Sequence, residues 1–586
     1  MSQPENPHQA IYNIAALCAA HGLTEVVLSP GSRSAPLTLA FARHPATNVR
    51  VVPDERAAAF IGLGIAQARR VPTVLVCTSG TAGLNYAPAV AEAYYQQVPL
   101  LILTADRPPE WIDQLDGQTI RQNGMYGAHV KGSYTFPTET THPDARWHAN
   151  RLMNEAINLA KAYPPGPVHV NIPLREPLYP VGEVVFEEVR VVRESSMSPN
   201  TVWWSEMRDQ KELYESLENA LVIVGQHQHL ASDELGNTLP AFAQTTKATI
   251  VGDVISNVGS ASSYVTHHDV FLSSPDAAFL ESLRPELLIT FGNSNISKSL
   301  KQFLRKHPPQ QHWHLQENNG QTADVFGSVS HIFRVDVAGF LRYAEGVEPI
   351  QKSKLGVPVR QSPSALGKKW QAANQKAKVF LDEWLISQAT WTEFQAIRLA
   401  LSADFLPNST ALHLANSMAV RYANILGVPA GVEVFANRGT SGIDGCTSTA
   451  VGYALAEPEK QVVLITGDVA FFYDRNAFWH NYPTPNLRVV LLNNHGGGIF
   501  RLIDGPRQQP ELDEFFETRQ QLTAENLCRD FRLPYFPVDS WEKLEAALPV
   551  FFGPEGAGGV LEIQTDSKVN AAFFEEYRAA VKQAFS

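Results

Sequence analysis

Two segments decide the fold: QVVLITGDVAFFYD (461–474) and LRVVLLNNHGGG (487–498). Each begins as an apolar run of the kind that forms a strand buried on both faces, and each stops at short polar chemistry. The first run ends at Asp468 and the second at Asn494, with room between them for one crossover helix, expected over about 471–480. Strands joined in that way lie parallel and side by side, so Asp468 and Asn494 are expected at one edge of one sheet. A carboxylate, a carboxamide oxygen and a nearby backbone carbonyl make a hard-oxygen set suited to Mg2+, whose coordination shell phosphate oxygens often complete. Glycines 496–498 let the backbone approach such an anion closely. Taken singly, Gly-Asp is a helix cap and Asn-Asn a turn; the pair at this spacing points to a metal–phosphate site. Gly252-Asp253 has no such partner downstream and reads as a turn.

The same alternation of apolar strand and helix runs through the chain. EVVLS (25–29), VRVVP (49–53), TVLVCT (73–78), PLLILTA (99–105) and PVHVNIP (167–173) form a first series. ALVIVGQ (220–226), ATIVGDV (248–254), ELLITFGNS (286–294), HWHLQEN (312–318) and HIFRVDV (331–337) form a second. VEVFAN (432–437), the two opening segments and GGVLEIQT (558–565) form a third, preceded by a long helical stretch from about 368 to 404. This pattern predicts an α/β chain of three doubly wound parallel-sheet domains. The expected division is 1–185, 186–365 and 366–586, with the polar stretch 351–369 as a linker. Functional loops of such sheets sit at the strands' carboxyl ends; in the first unit those ends read PGSRS, PDER, SGTAG and ADRPPE.

Bulk properties exclude several classes. The 586 residues are 44% hydrophobic and 18% charged, in the globular range, with a net charge of −12. A nucleic-acid binder asks for a basic face, so no nucleic-acid partner is expected. The four cysteines (Cys18, Cys77, Cys446, Cys528) form no C-x-x-C pair and read as small buried residues. No apolar run approaches the ~18 residues of a membrane span, and MSQPENPHQA (1–10) lacks the apolar core of a signal peptide. A cytoplasmic protein without a membrane partner is therefore expected. A nicotinamide dehydrogenase would carry G-x-G-x-x-G after its first strand, where PGSRSAP stands instead.

Gly467-Asp468 followed by Asn493-Asn494 resembles the diphosphate and metal motif of thiamine diphosphate enzymes, with Val469 where many members carry Gly. The resemblance implies thiamine diphosphate as cofactor. It implies the Asp468 and Asn494 side chains and the Gly496 carbonyl as ligands of Mg2+, for which Mn2+ substitutes, with Gly467 beside the diphosphate. His495 is expected to be a loop position with no metal role. Members of this family also place a glutamate after the second strand of the first unit, where it binds the aminopyrimidine ring; Glu55 in VVPDERAAAF (51–60) stands there. Read without the resemblance, Asp54 and Glu55 equally suit a helix cap. In this family the cofactor lies between two subunits, which implies a homodimer or a dimer of dimers, with the middle unit non-catalytic.

PGSRS (30–34), ADRPPE (105–110), GQTIRQ (117–122), NSMAVR (416–421), NRGTSGIDG (437–445) and NHGGGIFRLI (494–503) narrow the likeness. Together they resemble the 2-succinyl-5-enolpyruvyl-6-hydroxy-3-cyclohexene-1-carboxylate synthases of menaquinone biosynthesis. That resemblance implies a transferase that decarboxylates 2-oxoglutarate and adds the resulting succinyl carbanion to isochorismate. It implies Ser32, Arg33, Arg107, Gln118, Lys298, Asn416, Ser417, Arg421 and Arg438 as polar substrate contacts. Ile499, Phe500 and Ile503 would form an apolar wall, and Ile443 would wedge the cofactor into a bent form. Some members carry Arg after the lysine, where this chain has Ser299. Both substrates bear two carboxylates, which arginine grips bidentately. A thiamine diphosphate enzyme acting on a different 2-oxoacid, and a non-catalytic protein on the same fold, are the competing readings; retention of Glu55 with Asp468 and Asn494 argues against the second.

Overall fold

A computed structural model of the chain describes residues 8–179, 184–194, 220–230, 233–259, 264–317, 323–345, 364–553 and 558–586. Three six-stranded sheets, parallel throughout, organise it. The first contains β1 (Glu25–Leu28), β2 (Asn48–Val51), β3 (Thr73–Cys77), β4 (Leu100–Asp106), β5 (Ser133–Thr135) and β6 (Pro167–Pro173), in the order β2-β1-β3-β4-β6-β5. The second contains β7 (Ala220–Val224), β8 (Thr249–Gly252), β9 (Tyr264–Val265), β10 (Leu287–Phe291), β11 (Gln311–Leu315) and β12 (His331–Phe333), in the order β12-β11-β10-β7-β8-β9. The third contains β13 (Ala411–Leu414), β14 (Glu433–Phe435), β15 (Val462–Gly467), β16 (Leu487–Asn493), β17 (Tyr535–Val538) and β18 (Gly559–Gln564), in the order β14-β13-β15-β16-β18-β17. The first and third sheets thus share one topology. The strand order reverses between β1 and β3 in one and between β13 and β15 in the other, and ligands of open α/β sheets gather at such points.

The central strands are fully buried apolar runs, as parallel sheets covered on both faces require. Four strands escape the sequence pattern: β5, β9, β13 and β17 are two to four residues long. The crossover between β15 and β16 is shorter than expected, a helix at Asp468–Tyr473 followed by a 3-10 turn at Arg475–Phe478. The long helix expected over 368–404 is two helices, Ala365–Ile386 and Glu393–Ala400. The break has a local cause: Thr392 caps the second helix, its hydroxyl accepting from the Gln395 N–H at 3.4 Å. Of the polar stretch 351–369, residues 351–363 lie outside the described residues, and Ala365 onward is already helical.

Packing welds the units. The helices Glu55–Arg69 and Cys446–Ala456 cross with backbone against backbone: a Cβ on Gly64 would lie 2.0 Å from the Thr449 carbonyl oxygen, and one on Gly452 2.0 Å from that of Ile61. One apolar core therefore spans the first and third sheets. The helix Ala365–Ile386 bridges the second and third. Trp370 packs edge-on against Phe271 and donates to the Leu283 carbonyl at 2.9 Å, while Trp384 sits 5.2 Å from Phe573.

His413 on β13 is stacked 5.0 Å from Phe435, and burial, reinforced by the Lys460 charge, lowers its pKa to about 3. The folded chain holds it neutral, whereas the unfolded chain protonates it below about 6.5. The unfolded state binds more protons in the window from about 6.5 down to 3, so this residue makes stability fall with pH there. His413→Phe should remove about 2 kcal/mol of the loss between pH 6.5 and pH 5; denaturant unfolding of both proteins across that window checks it.

Candidate active site

β15 and β16 pair with Gly467 opposite Leu492, which sets the residues that follow, Asp468 and Asn494, at the same sheet edge. Asp468 is 2% exposed; burial pushes its pKa up to about 6, against hydrogen bonds from the Gln520 side chain and the backbone of Val469 and Gly496. The Gln520 amide donates to Asp468 Oδ2 at 2.8 Å. Asn494 is also buried: Nδ2 donates to Glu393 Oε1 at 2.5 Å, and Oδ1 has no hydrogen-bond partner among the described residues. Asn493, by contrast, is spent on structure, donating to Leu522 O and Glu562 Oε1. At Gly496 a Cβ would meet the Glu517 carbonyl at 2.8 Å, so the loop closes here with glycine alone. A Cβ on Gly467 would meet nothing within 4 Å. Open space beside Gly467, a buried carboxylate and an orphaned carboxamide oxygen fit a divalent cation carrying a diphosphate. His495 turns the loop with φ +65°, a backbone role.

Glu55 opens its helix at the first position, because Asp54 is the cap: its carboxylate accepts from Ala57 N at 3.1 Å and from Asn476 Nδ2 at 2.7 Å. The capping role falls on Asp54, and the half-buried Glu55 is left free of it. The flanking Arg56 donates to the Tyr473 carbonyl at 2.8 Å and lies over the Tyr473 ring, on the helix that Asp468 begins.

At the β1–β3 reversal, Arg33 is 7% exposed and donates to Leu174 O at 3.0 Å, with Glu176 at 3.5 Å, while Ser32 is exposed. Across from it, the Thr78 and Ser79 hydroxyls are buried without a partner among the described residues. Arg107 bonds Gly117 O at 3.1 Å and pairs with Asp116 at 3.2 Å. Gln118 has φ +55°, its backbone 3.3 Å from a Cβ position on Gly80.

At the matching reversal in the third sheet, Asn416 binds both ends of the loop that carries Arg438. Its Nδ2 donates to Asn437 O at 2.7 Å and Gly442 O at 2.6 Å, and its Oδ1 accepts from Arg438 at 2.8 Å. Ser417 has φ +75°, a strained geometry for serine, and its carbonyl accepts from Arg421. Desolvation and then the Arg438 charge lower the Arg421 pKa, and Lys301 is lowered by desolvation with Arg438 and Arg421 contributing. These cations repel one another, and the Asp253 and Asp269 carboxylates offset part of their charge. Ile443, Ile499 and Phe500 are half-buried and Ile503 is 40% exposed, leaving apolar surface beside the cations.

Lys298 is exposed at the start of the helix Lys298–Lys306. A buried node ties that loop to the Arg421 helix. Asn424 donates to Asp253 Oδ1 at 3.1 Å and Asp269 Oδ2 at 2.7 Å, Asp253 accepts from the backbone of Ile296 and Ser297, and Asp269 accepts from Ser297 Oγ. Asp253 is therefore more than the turn expected of Gly252-Asp253. The His268 ring, 3.1 Å away, holds the Asp253 carboxyl below its usual range against burial.

Three further residues carry the site and lack a sequence motif. Glu393 and Gln520 hold Asn494 and Asp468. Glu92, 1% exposed in an apolar helix of the first unit, accepts from Gly439 N at 2.8 Å, Thr440 N at 2.6 Å and Thr440 Oγ1 at 2.6 Å. It clamps the Arg438 loop from the side opposite Asn416.

Residues 11–126 match the family model described as the thiamine pyrophosphate enzyme N-terminal TPP binding domain, 204–412 the middle domain of thiamine pyrophosphate, and 419–561 the C-terminal TPP binding domain. Three matched units with a diphosphate-compatible edge define the class: a thiamine diphosphate-dependent enzyme. Among curated proteins, the chain is 46% identical over 580 residues (98% of this chain, 100% of the relative) to the 2-succinyl-5-enolpyruvyl-6-hydroxy-3-cyclohexene-1-carboxylate synthase of Cytophaga hutchinsonii. It is 37% identical over 563 residues (95% and 94%) to that of Porphyromonas gingivalis and 35% over 574 residues (96% and 97%) to that of Flavobacterium johnsoniae. The chain belongs to the family of 2-succinyl-5-enolpyruvyl-6-hydroxy-3-cyclohexene-1-carboxylate synthases, enzymes of carbon–carbon bond formation. Among the described residues no helix is long and apolar enough to cross a membrane.

Glu92→Ala should leave the Arg438 loop without its clamp and raise KM for an anionic substrate roughly tenfold, about 1.4 kcal/mol of lost binding. Steady-state kinetics with each substrate varied in turn measures it.

Proposed function

We propose that the chain decarboxylates 2-oxoglutarate and adds the four-carbon remainder to isochorismate, a step of menaquinone biosynthesis in the cytoplasm. The observation that carries this reading is the grouping of the Arg421, Arg438 and Lys301 cations beside the sheet whose edge presents Asp468 and the orphaned Asn494 Oδ1. Bound thiamine diphosphate would supply an acidic ring carbon and a sink for the electrons released on decarboxylation.

The Asp468 and Asn494 side chains and the Gly496 carbonyl would hold Mg2+, or Mn2+ in its place, with the diphosphate along Gly467 and Ile443 supporting the rings. Glu55 would share a proton through its carboxyl oxygen with the pyrimidine. It is half-buried in one chain, as a residue completed by a second copy would be, and we assign a homodimer or a dimer of dimers with units divided near 185 and 365. Ser32, Arg33, Arg107 and Gln118 would meet substrate from the first unit and Lys298 from the middle unit. Asn416, Ser417, Arg421 and Arg438 would meet it from the third, with Ile499, Phe500 and Ile503 as the apolar wall. The arginines orient and neutralise carboxylates, and the apolar wall keeps water from the reacting carbon.

The test titrates protein with thiamine diphosphate and Mg2+, then follows CO2 release and coupled product from 2-oxoglutarate and isochorismate. Glu55→Gln should lower kcat at least about a hundredfold, the range of a lost acid–base group. Equal turnover of pyruvate in place of 2-oxoglutarate, or a Glu55→Gln protein as fast as wild type, would overturn the assignment.

A further inference from the structure

A carboxamide presents an oxygen on one side and an NH2 of nearly equal size on the other. An asparagine that ligates a cation must therefore be held the right way round, since the reversed rotamer points two N–H donors at the metal. Asn494 is enclosed well enough for that choice to matter: it is 7% exposed, and a Cβ on Gly498 would lie 3.0 Å from its Nδ2. Against that same nitrogen stands Glu393, 101 residues upstream, with Oε1 at 2.5 Å from Nδ2.

Glu393 is itself immobilised. It is 2% exposed, its backbone N–H donates to Asn570 Oδ1 at 3.1 Å, and the Tyr422 side chain hydrogen-bonds its carboxyl. Asn570 is in turn held to Thr565 Oγ1 at 2.9 Å. The Thr392 cap that breaks the long helix places Glu393 at the first helical position, beside Asn494 in the third unit.

We propose that Glu393 is a positioning residue: it accepts from Nδ2 and so turns Asn494 Oδ1 toward the divalent cation. The proposal rests on Asp468 and Asn494 being the metal ligands. Outer partners of metal ligands commonly change affinity by about 10- to 100-fold. The acceptor is what matters, so Glu393→Gln, which keeps a carbonyl oxygen, should retain function that Glu393→Leu loses.

The experiment titrates Mn2+ into the full-length protein with saturating thiamine diphosphate and follows free Mn2+ by electron paramagnetic resonance. Asp468→Ala should abolish tight binding; if it binds as wild type does, the ligand assignment itself fails and this inference with it. With that control in place, Glu393→Leu should weaken Mn2+ at least about tenfold, with Glu393→Met as the equivalent variant should leucine prevent folding. Glu393→Gln should stay within about threefold of wild type. In an Asn494→Asp background both ligand oxygens are equivalent and nothing needs orienting, so Glu393→Leu should cost no further affinity there. Wild-type binding by Glu393→Leu, or an equal loss whether position 494 carries the native asparagine or the Asn494→Asp substitution, would overturn the proposal by showing Glu393 to be indifferent or merely structural.

Discussion

The side-by-side, parallel pairing of β15 and β16 is the constraint on which the site depends. A slip of one residue would turn every side chain to the other face and part Asp468 from Asn494. The register is held because both strands are buried apolar runs whose alternate residues feed two different cores: Val463 and Ile465 with Val490 and Leu492 on one side, Val462 and Leu464 with Val489 and Leu491 on the other. Packing of ordinary hydrocarbon thereby fixes the position of two polar groups that contribute little to stability themselves. The carboxylate and carboxamide are in fact costly to bury, and Gln520 and Glu393 offset part of that cost by hydrogen bonds.

The same arrangement recurs in the first sheet. Equivalent strand order puts PGSRS and SGTAG at one reversal and Asn416-Ser417 and Asp468 at the other. The two equivalent edges carry different side chains, hydroxyls and an arginine at the first, a carboxylate, carboxamides and arginines at the third. Carboxylates from elsewhere in the chain hold the cationic loops: Glu92 reaches the Arg438 turn from the first unit, and Asp253 and Asp269 reach the Arg421 helix from the second. The guanidiniums add one local contact each, Arg438 to Asn416 Oδ1 and Arg421 to the Ser417 carbonyl.

Much of this was legible in the residues. Central parallel strands read as apolar runs, and Asp468 and Asn494 stood out because each ended one. The edge strands did not: β5, β9 and β17 are short, and Ser133, Tyr134 and Pro537 are half-buried or exposed, so no alternation marks them. Thr392 and Gln395 form a capping pair inside what looked like continuous helix, and only their contact reveals the break that delivers Glu393. Glu92 sits in the mainly apolar helix Ala87–Gln96, and Asp253 in a turn-like dipeptide; neither spacing nor composition distinguishes a buried carboxylate that clamps from a solvated one. These roles depend on partners far along the chain, which no local pattern encodes.

The middle sheet has the strand order of dinucleotide-binding folds, with its reversal between β7 and β10. The crevice there is filled by the rest of the chain. Asn293 donates to the Gln96 carbonyl at 3.4 Å, Gln228 to its side chain at 2.9 Å, and Gln226 to Ala436 O at 2.8 Å. The spot where another protein of this topology would cradle adenosine has become a mortise for its neighbours. The second unit is thus locked at its own crevice to both of the others, and what it turns toward the third unit's cations is Lys301 rather than a nucleotide cradle.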